Sequence, residues 1–169
     1  MSAKYFSSVW LAVTIFLSLS SLSRCDTNRV FEKNTKVSDY HWSWENKIEF
    51  EVDIADTNSL YNIYLNIRHG WQYPYSNLWV IVHTYFPDGE HLQKRVQIEM
   101  ADKSGKPFAD CSGDICDLQV PIQQGAYFEK PGKYKWEVEQ NMRQNPLPMI
   151  MAIGLRLERA GLKNPEPES

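Results

Sequence analysis

The strictest constraint on what this chain can fold into is a hydrophobic period of two that recurs from residue 48 to residue 158. Ile48, Phe50, Val52 and Ile54 alternate with Glu49, Glu51 and Asp53, which turns one side of an extended segment to a core and the other to water. Tyr61, Ile63, Leu65 and Ile67 alternate in the same way with Asn62, Tyr64, Asn66 and Arg68, and Tyr134, Trp136 and Val138 with Lys135, Glu137 and Glu139. Leu92, Val96, Ile98 and Met100 share one face, and Met149, Met151, Ile153, Leu155 and Leu157 make a last apolar face opposite Arg156 and Glu158. Leu78 to Phe86 is an almost unbroken apolar run rich in β-branched and aromatic residues, as a central strand requires. Ile115 to Pro121 is a weaker candidate, and Pro87-Asp88-Gly89 is a turn. About seven short strands without a long amphipathic helix predict an all-β chain: an antiparallel β-sandwich, Ig-like or jelly-roll in layout. Alternation assigns faces but leaves strand order open.

The ends of the chain have a different character. Val9 to Leu19 is an apolar run preceded by Lys4 and followed by a serine-rich stretch, with no Asp or Glu before Asp26. Such a run matches the ~7–15-residue core of an export signal and falls short of the ~20 residues of a membrane span. Leu22-Ser23-Arg24-Cys25 has the outline of a bacterial lipobox with acylation at Cys25, although Arg24 stands where a small residue is usual; cleavage after Ser23 is the alternative. The expected organisation is a signal segment over residues 1–24, a lipidated polar tether over 25–40, a sandwich domain over 41–160 and a Pro/Glu-rich tail over 161–169. With 169 residues and 43% hydrophobic content, the chain can build one core. A net charge of −3 and a pI of about 5.8 lack the basic footprint of nucleic-acid binding. A mean hydropathy of −0.48 is too low for an integral membrane protein. Removing residues 1–24 would take away Lys4 and Arg24 and make the remainder more acidic, so attachment to an anionic membrane would have to come from acyl chains.

Candidate chemistry is sparse. Cys111 and Cys116 flank a short Gly/Asp-containing loop; in an oxidising envelope they can bridge, with free thiols or a zinc site as the alternatives. His41, His69, His83 and His91 form no metal-ligand set in sequence, and neither a metal nor a cofactor is expected. There is no G-x-S-x-G elbow, H-E-x-x-H helix or glycine-rich phosphate loop. The acidic residues alternate with apolar ones, as on solvated strand faces. His83, inside the apolar run, reads as a buried neutral histidine or, as a minority case, a general base. Trp42 and Trp44 precede the first strand and are expected to pack at the core edge. Trp71, Tyr73 and Tyr75 crowd one inter-strand loop, where they either fold back over an open end of the sandwich or present a patch for a protein or a sugar.

Four ordered stretches carry a family resemblance: Trp44 to Asp53 (WENKIEFEVD), Tyr73 to Val80 (YPYSNLWV), Glu139-Gln140-Asn141-Met142-Arg143, and Ile153 to Glu158 (IGLRLE). Together they resemble the gliding motility lipoprotein family GldH of Bacteroidetes. The resemblance implies a lipid-anchored, non-enzymatic envelope protein, outer-membrane in location, serving gliding motility or the linked type IX secretion machinery through contacts with other envelope proteins. It supplies no catalytic residues. Trp71, Tyr73, Tyr75, Glu139, Gln140, Arg143 and Arg156 are the candidate partner-binding residues. Arg156 is expected to project from the core toward Glu139, Glu158 or a partner's carboxylate, so that Arg156→Ala would leave thermal stability nearly unchanged. A surface carbohydrate-binding module using Trp71, Tyr73 and Tyr75 is the alternative, and a secreted jelly-roll hydrolase the remote one.

Overall fold

The computed structural model describes residues 27–163, and the expected signal segment and Cys25 lie outside them. Eleven strands follow one another: β1 (Arg29–Lys36), β2 (His41–Trp42), β3 (Ile48–Ile54), β4 (Ser59–Gly70), β5 (Asn77–Tyr85), β6 (His91–Glu99), β7 (Asp110–Ser112), β8 (Ile115–Ala126), β9 (Gly132–Gln140), β10 (Leu147–Pro148) and β11 (Ile150–Leu162). One sheet has the order β1-β11-β4-β8-β7 and the other β3-β9-β5-β6, with β10 and β2 as a small separate pair. All pairings are antiparallel. Without the three shortest strands, the first main strand pairs with the last, the second with the seventh, the third with the sixth and the fourth with the fifth. That wrapping is a jelly roll, which decides between the two layouts that alternation left open.

The period-two faces meet between the sheets. Phe50, Val52 and Ile54 from β3 and Leu78, Val80 and Val82 from β5 face Leu65, Ile67, Leu155 and Leu157 from the opposite sheet, and all are buried. The apolar run of β5 is flanked by β9 and β6, as its composition requires. At one end of the sandwich Tyr61, Phe128, Tyr134 and Trp136 form an aromatic cluster of tilted, edge-on and stacked pairs with ring centroids 4.7–6.1 Å apart. This end also holds Asn28, whose carbonyl accepts the Arg159 N–H at 2.8 Å, and the close of β11 beside Ser59; we call it the basal pole. The opposite, apical pole holds the end of β4, the end of β9 and the buried Trp42 and Leu147 of the β2–β10 pair.

Four expectations need correction. Half of the segment read as a tether over residues 25–40 is strand β1, which runs along the edge of its sheet in register with β11 from Glu32↔Arg156 to Lys36↔Ala152. An edge strand is held by one ladder of hydrogen bonds and is wet on much of its surface, so it shows no hydrophobic alternation. At the other end, Gly161 and Leu162 extend β11 and pair with Leu60 and Ser59, so these two residues belong to the sandwich and not to the expected tail. The last apolar face also changes parity. Met149 has φ 64° and the β11–β4 register shifts between Ile150 and Ala152, so Ile150 is buried where Met151 was expected. Leu92, assigned to the core face of β6, is 55% exposed.

The outer face of the five-stranded sheet is polar and tied together. Asn34, Gly154, Asn66 and Gln119 sit side by side on four successive strands. Asn66 Nδ2 donates to Asn34 Oδ1 at 3.3 Å and to Glu32 Oε1 at 3.0 Å, and Gln119 Nε2 donates to Asn66 Oδ1 at 2.9 Å.

Candidate partner-binding site at the apical pole

The aromatic loop after β4 divides its labour. Gly70 closes the strand, its N–H donating to Met149 O at 2.8 Å, and a Cβ there would press on Met149 Sδ at 3.1 Å. Tyr73 turns inward, edge-on to His69 at 5.7 Å and to Tyr75 at 5.8 Å, and its hydroxyl donates to Asn77 O at 3.0 Å. Burial, with Tyr75 adding to it, pushes the Tyr73 hydroxyl far above its ordinary pKa. Tyr73 therefore closes the end of the sandwich. Trp71 is 53% exposed, and Tyr75 is half-buried with its hydroxyl donating to Gln144 Oε1.

Gln140 was expected on the contact surface and is instead 1% exposed. Its Oε1 accepts the Met142 N–H at 2.8 Å, and its Nε2 reaches Gln144 O at 3.2 Å, Asn145 Oδ1 at 3.3 Å and Trp42 O at 3.4 Å. A buried amide with these partners fixes the path of the 141–147 loop, where a polar group without partners would be costly. The loop is also clipped to β5, with Asn141 N–H donating to Trp79 O at 2.7 Å and Trp79 N–H to Met142 Sδ at 3.2 Å. It contains a cis Asn145–Pro146 bond.

These clips build a groove of about 370 Å³ between the aromatic loop, β5, β6 and the 141–147 loop, lined by Tyr75, Asn77, Trp79, Arg95, Asn141, Met142, Arg143 and Gln144. Arg95 stacks over Trp79, its guanidinium carbon 4.2 Å from the ring centroid. Tyr75 and Arg143 thus meet in one place. Trp71 belongs to the same pole, while Glu139 and Arg156 lie elsewhere. Glu139, on the outer face of the four-stranded sheet, pairs with Lys47 at 2.8 Å, which raises the lysine's pKa. Arg156, on the outer face of the other sheet, contacts Glu158 and, at 2.9 Å, Glu32. Sequence reasoning did not single out Trp79 or Arg95. Strand parity could have marked Trp79, since Leu78, Val80 and Val82 all point inward.

His83 is buried on the outer side of β5, with Nδ1 3.2 Å from His91 Nε2 and Nε2 3.7 Å from Glu139. Of the two tryptophans before β3, Trp42 packs in the core and donates to Asn46 O at 2.9 Å, whereas Trp44 is 46% exposed. Cys111 and Cys116 face each other across the β7–β8 pair and form a disulfide, the bridged alternative of the three.

Fold and site together define a jelly-roll sandwich that carries an aromatic, arginine-bearing groove at one pole. The chain belongs to the GldH lipoprotein family, which matches residues 29–157 and so takes in β1 as well as the rest of the sandwich. It is 27% identical over 159 residues to the gliding motility lipoprotein GldH homolog of Christiangramia forsetii, covering 88% of this chain and 97% of that protein. It is 26% identical over 152 residues to the gliding motility lipoprotein GldH of Flavobacterium johnsoniae, covering 86% and 94% respectively. Membership of this family makes the chain a lipoprotein of the gliding-motility type, associated with the cell envelope.

Proposed function

We propose that the protein is acylated at Cys25, sits on the outer membrane by its basal pole, and serves gliding motility or the linked type IX secretion machinery without catalysing a reaction. It works by holding other envelope proteins at its apical pole. The observation that carries this reading is polarity within the fold: the chain enters β1 at the basal pole, while Trp71 and the groove lie at the other end. Only Asp26 stands between Cys25 and Thr27, and the two Cα–Cα steps span at most about 7 Å. An anchor at Cys25 therefore stays near the basal pole and leaves the apical surface free for a partner.

The test is complementation of a gene deletion in the source bacterium, combined with mass spectrometry of the mature N-terminus. Native protein is expected to begin at an acylated Cys25, to fractionate with the outer membrane and to restore spreading or secretion; Cys25→Ala should do none of these. A mature chain that begins at Arg24 with an unmodified Cys25 would overturn the anchor.

A further inference from the structure

Six arginines lie among the described residues, and four of them meet a carboxylate: Arg29 and Arg156 on Glu32, Arg68 on Asp117 and Arg159 on Asp56. The two without an acidic partner among those residues, Arg95 and Arg143, come from strands and loops far apart in sequence and line the same groove. Among the described residues no aspartate or glutamate lines it. Of the acids on the neighbouring strands, Glu139 is paired with Lys47, while Glu99 takes a hydrogen bond from the neutral Gln97, keeps its charge beside Asn77 and is outnumbered by the two arginines. In a chain of net charge −3 this is a local excess of positive charge with an aromatic floor.

We infer that this groove receives an acidic peptide segment of a partner protein, with its carboxylates on Arg95 and Arg143 and an apolar side chain against Trp79 and Met142. This deepens the proposal that the protein acts through contacts at its apical pole and rests on it. Stacking on Trp79 fixes the plane of the Arg95 guanidinium and leaves its N–H edge to take a carboxylate in a forked pair. Asn77 and Asn141 offer amides to a peptide backbone. Strand β6, which carries Arg95, is the open edge of its sheet, so its backbone can pair with an extended peptide in a way that a sugar cannot match. A lipid headgroup is disfavoured by position. Strand β11 has 13 residues and runs from pole to pole, which separates the groove from the anchored end by roughly 40 Å. The larger cleft on the outer face of the five-stranded sheet lacks this character, because its Arg68 and Asp117 neutralise each other at 2.7 Å.

The mature protein in neutral detergent is titrated with a labelled synthetic peptide of alternating Glu and Phe, with the Lys–Phe peptide, oligogalacturonate and phosphatidylglycerol vesicles in parallel. The Glu–Phe peptide should bind in a salt-dependent way and shift the Trp79 indole resonance. Arg95→Ala and Arg143→Ala should each weaken it about tenfold or more without lowering the thermal midpoint, and Arg68→Ala should bind like the native protein. If either groove variant is unstable, Arg143→Gln on the exposed loop replaces it. A Glu–Phe peptide that leaves Trp79 unmoved, or that binds both groove variants as well as the native protein, would overturn the inference. Stronger binding of oligogalacturonate or of the vesicles through these arginines would reassign the groove to a glycan or a membrane and overturn it equally. None of these readouts depends on acylation, so an unmodified Cys25 would sink the anchor and leave the groove standing.

Discussion

Asn34 and Gly154 face each other across the β1–β11 pair, and the asparagine side chain occupies the space where a Cβ on residue 154 would be. A Cβ built on Gly154 would lie 1.8 Å from Asn34 Oδ1 and 2.9 Å from the carbonyl oxygen of Lys33. The missing side chain lets the amide of an edge strand cross β11 and accept a hydrogen bond from Asn66 on β4.

Gly154→Ala should therefore destabilise the protein by about 1–3 kcal/mol, the usual cost of overpacking. The Asn34 amide can swing away at the loss of its hydrogen bond, but the Lys33 carbonyl is backbone and must shift. Urea denaturation of Gly154→Ala, Asn34→Ala and the double variant should give effects smaller than the sum of the singles, because both act on one contact. Strict additivity would show that the two residues do not constrain each other.

Arg156 is more than the solvated residue its strand parity suggests. Its side chain is 15% exposed and joins β1 to β11 through Glu32, itself 22% exposed. Arg156→Ala should lower stability by about 1–2 kcal/mol, between the values typical of exposed and of buried pairs. Burial pushes the Glu32 carboxyl up, but the Arg29 hydrogen bond and the Arg156 charge outweigh it and hold the group below its ordinary value. A carboxyl depressed in the folded state gives stability that is present above its unfolded pKa of about 4.3 and is lost as pH falls through the folded value. Thermal unfolding of Arg156→Ala across the acid range should show a shallower loss there than the native protein; parallel curves would contradict the coupling.

Much of the fold is written in the sequence as parity. Core faces of β3, β4, β5 and β9 follow directly, since both sides of each strand have a fixed environment. Strand β1 is illegible because an edge strand with wet faces needs no alternation, and its pairing with β11 spans more than a hundred positions. The bulge at Ile150 is hidden for a related reason: one extra residue reverses the parity of a face without altering its composition. Site residues divide along the same line. Trp71, Tyr75 and Arg143 announce themselves in loops, whereas Gln140 looks like a surface amide and is consumed by the loop it organises. Arg95 was not recognisable, because nothing local distinguishes an arginine that lacks a carboxylate from one that has it.

His69 supplies a pH effect in a different window. It is 2% exposed, with Nδ1 2.9 Å from Gly70 O and, among the described residues, no hydrogen-bond partner for Nε2. Burial lowers its pKa below the ordinary histidine value, against smaller opposing effects of Gly70 O and Asp117. The unfolded chain then takes up the proton first, so stability is full above about pH 6.5 and is lost as pH falls toward the folded value. Between about pH 7 and pH 5 the native thermal midpoint should fall, and His69→Gln should fall less. Identical slopes would remove His69 from the account.

The central claim, that the protein works by holding a partner at the pole opposite its anchor, is tested most directly by site-specific photocrosslinking in the source bacterium. A photoreactive amino acid is placed at Trp71 on the apical pole or at Asn58 on the basal pole, both exposed. The account predicts a discrete protein adduct from position 71 and none from position 58. An adduct from position 58 alone, or none from position 71 in cells whose motility or secretion is intact, would contradict it.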